Sequence, residues 1–75
     1  MLVNITTLTG RIFPIELEPS NTIEETKQAI TNKEGIPDDQ IRLIHGRRCL
    51  ENHKALCEYG IKNETTVYLI LRLRS

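Results

Sequence analysis

The chain has no tryptophan, one phenylalanine, two tyrosines and one methionine in 75 residues, so any interior it builds is almost entirely aliphatic. Net charge is also missing: ten basic side chains balance ten acidic ones. A neutral chain is a poor binder of a phosphate backbone, which makes nucleic acid an unexpected partner. With only two cysteines, Cys49 and Cys57, this is not a disulfide scaffold, and both are read as free thiols. Four glycines and three prolines are too few for a linker, and neither an internal repeat nor a low-complexity tract is present. The start "MLVNITTLTG" has no basic segment and no long apolar run, so neither a signal peptide nor a membrane span is expected. The expected location is the cytoplasm or nucleus, and the sequons at Asn4 and Asn63 are read as chance matches.

What is present is enough for one small domain spanning residues 1–75. A chain of this size buries only about 60% of the surface its unfolded form exposes, so its stability is modest. The charges are segregated. Residues 1–39 carry three basic and seven acidic side chains, net −4, and residues 40–75 carry seven basic and three acidic, net +4.

Apolar periodicity gives the elements. Met1, Val3 and Ile5 alternate with polar or exposed positions, as do Phe13, Ile15 and Leu17, which predicts two strands with one buried face each. Gly10 supplies the left-handed residue of a hairpin between them, and Pro14 makes the second strand an edge. The period then changes. "Thr22-Ile-Glu-Glu25" is a capping box, Ile23, Thr26 and Ile30 form an inner stripe, and Gly35 with Pro37 is a stop, so a helix is predicted from about Ile23 to Glu34. Further strands are predicted over Gln40–His45, Arg48–Leu50 and Thr66–Arg72, with a loop around Leu56, Tyr59, Gly60 and Ile61. The expected class is α+β, in the order β-β-α-β-β-β.

Several short stretches then carry a likeness. "TLTG" at Thr7 to Gly10, "EPS" at Glu18 to Ser20, "TIE" at Thr22 to Glu24, "KEGIP" at Lys33 to Pro37, "RLI" at Arg42 to Ile44, "LE" at Leu50 to Glu51 and "LRLR" at Leu71 to Arg74 resemble the ubiquitin family, collinearly and without a gap. The resemblance implies the β-grasp fold, a mixed sheet of four to five strands on one helix. It also implies a monomeric, non-enzymatic protein that needs no cofactor and works with ubiquitin-receptor or ubiquitin-pathway proteins.

Alternation points Ile44 away from Ile41 and Leu43, and Ile70 away from Val67 and Leu69, which puts two isoleucines on the solvent side. By resemblance, Leu8, Ile44, Tyr68 and Ile70 form the face that receptor modules grip, with Arg42 and Arg72 at the rim. Tyr68 stands where the family usually has histidine. An aliphatic centre with a cationic border suits a partner that frames its own apolar residues with acids.

The tail Leu71, Leu73, Arg74, Ser75 has the family's Leu-Arg pattern without the terminal glycine pair that serves as acyl donor. As given, the chain is therefore expected not to be conjugated. Three origins stay open: a domain from the front of a longer protein, a conjugation-dead relative, or a covalent modifier shortened and altered at its end. Lys27 and Lys33 stand at family acceptor positions, whereas Thr6, Arg11, Ala29, Arg48 and Asn63 replace the other lysines. The resemblance also implies that Lys27 leans toward residue 52, usually aspartate and here Asn52, a weaker partner.

His45, Cys49, His53 and Cys57 recur every four residues, yet Gly46 and Asn52 argue against one helix face, so no metal site is expected. Cys49 is expected to be half-exposed and Cys57 packed. Cys49 with His53 lacks an orienting partner and an oxyanion hole, so no enzyme activity is expected.

Overall fold

A computed structural model describes residues 1–71. The predicted strand Thr66–Arg72 therefore has its last residue outside the described residues, as do Leu73, Arg74 and Ser75. The order is β1 (Leu2–Thr7), β2 (Ile12–Glu16), α1 (Ile23–Glu34), a 3-10 turn (Asp38–Gln40), β3 (Ile41–His45), β4 (Arg48–Cys49), a 3-10 helix (Leu56–Tyr59) and β5 (Thr65–Leu71).

The strands form one sheet in the order β2-β1-β5-β3-β4. β1 and β5 pair in parallel, and the remaining pairs are antiparallel. A mixed sheet with one helix is the β-grasp architecture expected from the sequence. β2 is at an edge, consistent with Pro14, which has no amide hydrogen to give to a second neighbour. Gly10 closes the β1–β2 turn with φ of +87°, a conformation that side-chain-bearing residues avoid.

The helix begins as its residues dictate. The Glu25 amide donates to the Thr22 hydroxyl at 3.2 Å, and the Thr22 amide donates to the Glu25 carboxylate at 2.8 Å. Gly35 ends it in the left-handed region at φ 74°, its amide donating to the Thr31 carbonyl. Ile23, Thr26 and Ile30 are the buried stripe. They meet the sheet's inner face, where Val3, Ile5, Ile15, Leu43, Val67 and Leu69 join them in one aliphatic core. Buried polar Thr26 is satisfied by donating its hydroxyl proton to the Thr22 carbonyl at 3.0 Å.

Several details differ from the sequence reading, beginning with β4, which stops at Cys49 rather than Leu50, and β5, which starts at Thr65 rather than Thr66. Gln40 ends a 3-10 turn rather than starting β3, because its amide is taken by the Pro37 carbonyl. The stretch Leu56–Tyr59 is a 3-10 helix rather than a loop, opened by the Ala55 amide donating to the Glu58 carboxylate at 2.8 Å. That helix also overturns the packed assignment of Cys57. With about three residues per turn, Leu56 points inward at 1% exposure while Cys57 next to it faces solvent.

Candidate functional site

The outer face of the sheet is fixed by register. β3 and β5 are antiparallel neighbours that pair Arg42 with Ile70 and Ile44 with Tyr68. Paired residues share a face, so all four side chains stand on the side opposite the helix. The two isoleucines are diagonal neighbours rather than directly opposed. Tyr68 fills the position beside Ile44, and Arg42 fills the one beside Ile70.

Exposure separates this face from the core. Tyr68 is 49% exposed and Arg42 is exposed, while Ile44 and Ile70 are half-buried and lie outside the core cluster. Each has a directly opposed cross-strand partner, Tyr68 for Ile44 and Arg42 for Ile70, and side chains so paired lie about 5 Å apart and shield each other. Leu8, at the tip of the β1–β2 turn, is 78% exposed. It also borders a cavity of about 320 Å³ that Phe13, Ile36, Leu69 and Leu71 line. Beside that cavity the Arg11 guanidinium pairs with the Glu34 carboxylate at 2.7 Å and lies over the Phe13 ring at 5.7 Å, tying the hairpin to the end of α1. Of the two arginines expected at the rim, Arg42 is exposed opposite Ile70, and Arg72 lies outside the described residues.

The expected lysines have different surroundings. Lys27 is half-buried, and its Nζ donates to Asn52 Oδ1 at 2.7 Å, the neutral partner that the family resemblance implied. Lys33 is exposed in the last helical turn.

The histidine and cysteine series is scattered. His45 lies on β3 opposite Arg48, Cys49 on β4 opposite Ile44, His53 in the following turn and Cys57 on the 3-10 helix. Among the described residues no three His, Cys, Asp or Glu side chains converge on a point that could hold a metal. Nor is any described helix long and apolar enough to cross a membrane.

Sequence reasoning did not single out Ile12 or Leu2, which are 65% and 43% exposed on the outer face. The signal was available, because both alternate with buried residues in strands whose inward positions were already assigned.

Comparison with known proteins identifies the family. The family model described as the Ubiquitin family matches residues 3–74. The chain is 38% identical over 74 residues to the ubiquitin-like protein NEDD8 of Dictyostelium discoideum, covering 99% of this chain and 96% of that protein. It is 35% identical over 68 residues to ubiquilin of Dictyostelium discoideum, spanning 91% of this chain but 13% of that protein. Over 63 residues it is 35% identical to the UV excision repair protein RAD23 of Saccharomyces cerevisiae, spanning 83% of this chain and 16% of that protein.

Proposed function

As a member of the ubiquitin family, to which the match over residues 3–74 assigns it, the chain is one for which we propose a non-enzymatic docking role. It is a single interaction domain, monomeric and located in cytoplasm or nucleus. Helical or zinc-containing ubiquitin-receptor modules bind the surface made by Leu8, Arg42, Ile44, Tyr68 and Ile70, with Arg72 at its border. The observation that carries this reading is the β3–β5 register, which gathers Ile44, Tyr68 and Ile70 into one apolar patch with Arg42 at its edge. Desolvating such a patch supplies affinity, and the arginines favour partners with carboxylates around an apolar centre. In calorimetry with a helical ubiquitin-receptor module, Ile44→Ala is expected to weaken binding at least about tenfold, as truncating a central apolar anchor does. Unchanged affinity would overturn the assignment.

A covalent modifier is the second reading. It is favoured by coverage: the chain spans 96% of NEDD8 but 13% of ubiquilin and 16% of RAD23. The intact mass of the endogenous protein discriminates. A mass matching a chain that ends in a glycine pair, together with ATP-dependent thioester formation on an activating enzyme, supports the modifier, and a mass of several domains supports the docking module.

A further inference from the structure

We propose that the cavity beside the β1–β2 turn is a binding site for a small apolar amine, and that the Arg11 guanidinium holds the place of the ligand's charged group until such a ligand displaces it. The site shares only Leu8 with the outer-face patch and does not depend on that reading. Its shape comes first. The β1–β2 turn, Phe13, the helix-end residues Glu34 and Ile36, and Leu69 and Leu71 of β5 surround about 320 Å³. Walls from the hairpin, the helix end and the sheet make a cup rather than a groove, and a mostly apolar cup of this volume with a few polar groups suits a small molecule. Its floor reaches the core, since Phe13 is 6% and Leu69 2% exposed. Its rim is preformed: the Thr7 amide donates to the Arg11 carbonyl at 2.9 Å, and the Arg11 amide donates to the Thr7 hydroxyl at 3.1 Å.

Charge selects the head group. Glu34 carries the inner charge: its side chain is 8% exposed, against 65% for Arg11, which pairs with it at 2.7 Å. An anionic ligand entering the cup meets that carboxylate as a like charge, whereas a cationic one gains it as a partner. Two further features have the same sign. Glu34 is the last residue of α1, at the negative end of the helix dipole, and Asp38 and Asp39 stand in the 3-10 turn packed against α1, so the helix end is acidic despite Lys33. Phe13 offers a ring face that attracts cations, and the cation now over it, at 5.7 Å, is Arg11.

Arg11 thus makes both contacts that an ammonium ligand would make. It can leave without moving the wall, because its amide and carbonyl are both pinned to Thr7 while its side chain is largely solvated. An ion pair with one partner so exposed holds weakly. Exchanging one cation for another therefore costs little, and the apolar body of the ligand, buried against Phe13 and Leu69, supplies the gain.

The test titrates the 15N-labelled chain, at neutral pH and low salt, with three probes of one shape: phenethylamine, phenethyl alcohol and 3-phenylpropionate. The expected result is that the amides of Thr9, Phe13, Ile36 and Leu69 shift on one isotherm in the millimolar range. The amine should bind about tenfold tighter than the alcohol, the size of one hydrogen bond to a charged group, and the acid should bind weakest. Glu34→Gln should lower the amine to the level of the alcohol while the alcohol still shifts the same amides. Arg11→Ala should bind the amine about two- to fivefold tighter, because the resident competitor is gone. An acid that binds as well as the amine would overturn the cation preference, and unchanged or weaker amine binding by Arg11→Ala would overturn the displacement. Shifts confined to Ile44 and Tyr68, or no shift with any probe, would overturn the cup as a ligand site.

Discussion

Ile44 and Tyr68 are directly opposed across the antiparallel pair of β3 and β5, one half-buried and the other 49% exposed, on the face turned away from the helix. Each therefore shields the other from water without belonging to the core.

Mutual shielding predicts coupling. In a double-mutant cycle of Ile44→Ala and Tyr68→Ala, the stability losses should be non-additive by about 0.2–1 kcal/mol, the range for cross-strand pairs. Leu43→Ala, one residue away but fully buried, should instead cost about 2–5 kcal/mol by leaving a cavity. Chemical denaturation of the variants checks both. An Ile44→Ala loss as large as that of Leu43→Ala would mean that Ile44 belongs to the core.

The helix start predicts a pH dependence. Glu25 is held below its ordinary value of 4.5, first by the hydrogen bond from the Thr22 amide. A carboxylate with a depressed folded-state value contributes stability above the unfolded value and loses it as pH falls through the folded one. Thermal melts should show Glu25→Gln less stable than the parent at pH 7, with the gap closing below about pH 4.5. A gap independent of pH would sink this account of the cap.

Thr22→Ala removes the other half of the box and should cost about 1 kcal/mol at neutral pH, as loss of an N-cap side chain does. Urea denaturation reads it directly. A cost near zero would mean that water caps the helix equally well.

Asn52→Asp would place a carboxylate where Lys27 Nζ now donates to an amide oxygen at 2.7 Å. Because Lys27 is half-buried, the charge-assisted bond should add up to about 1 kcal/mol in 50 mM salt and less in 1 M salt. A stabilisation indifferent to salt would point away from charge as its source.

Gly35→Ala isolates backbone conformation from sterics. Nothing lies within 4 Å of an added Cβ, yet φ is +74°. The expected loss is about 1 kcal/mol with no displaced neighbours, measurable as a lower melting temperature with an unchanged 15N spectrum outside the helix end.

The helix was legible because Thr22, Glu25, Gly35 and the stripe Ile23, Thr26, Ile30 are local signals that act within a few residues of one another. The inward faces of β1, β2, β3 and β5 were legible from alternation. Neighbour relations were not: alternation says that Ile44 and Ile70 face outward, but not that Tyr68 is opposite the first and Arg42 opposite the second. Register depends on pairing between distant segments. The same limit hid Ile12, whose place in line with Thr6, Tyr68 and Ile44 depends on three strand pairings at once. Cys57 was misplaced for a different reason, since a single 3-10 turn of four residues leaves too short a period to read from sequence.

The central strand of the sheet, β5, is also the last in chain order among the described strands, and it separates β1 from β3. Until residues 65–71 have cleared the exit tunnel, the emerging chain can hold only the β1–β2 hairpin, a marginal helix and the short β3–β4 pairing, with both intended neighbours of the missing strand exposed. Assembly is therefore expected to be all-or-none and late in synthesis, and translation stalled before that point would release a protease-sensitive fragment.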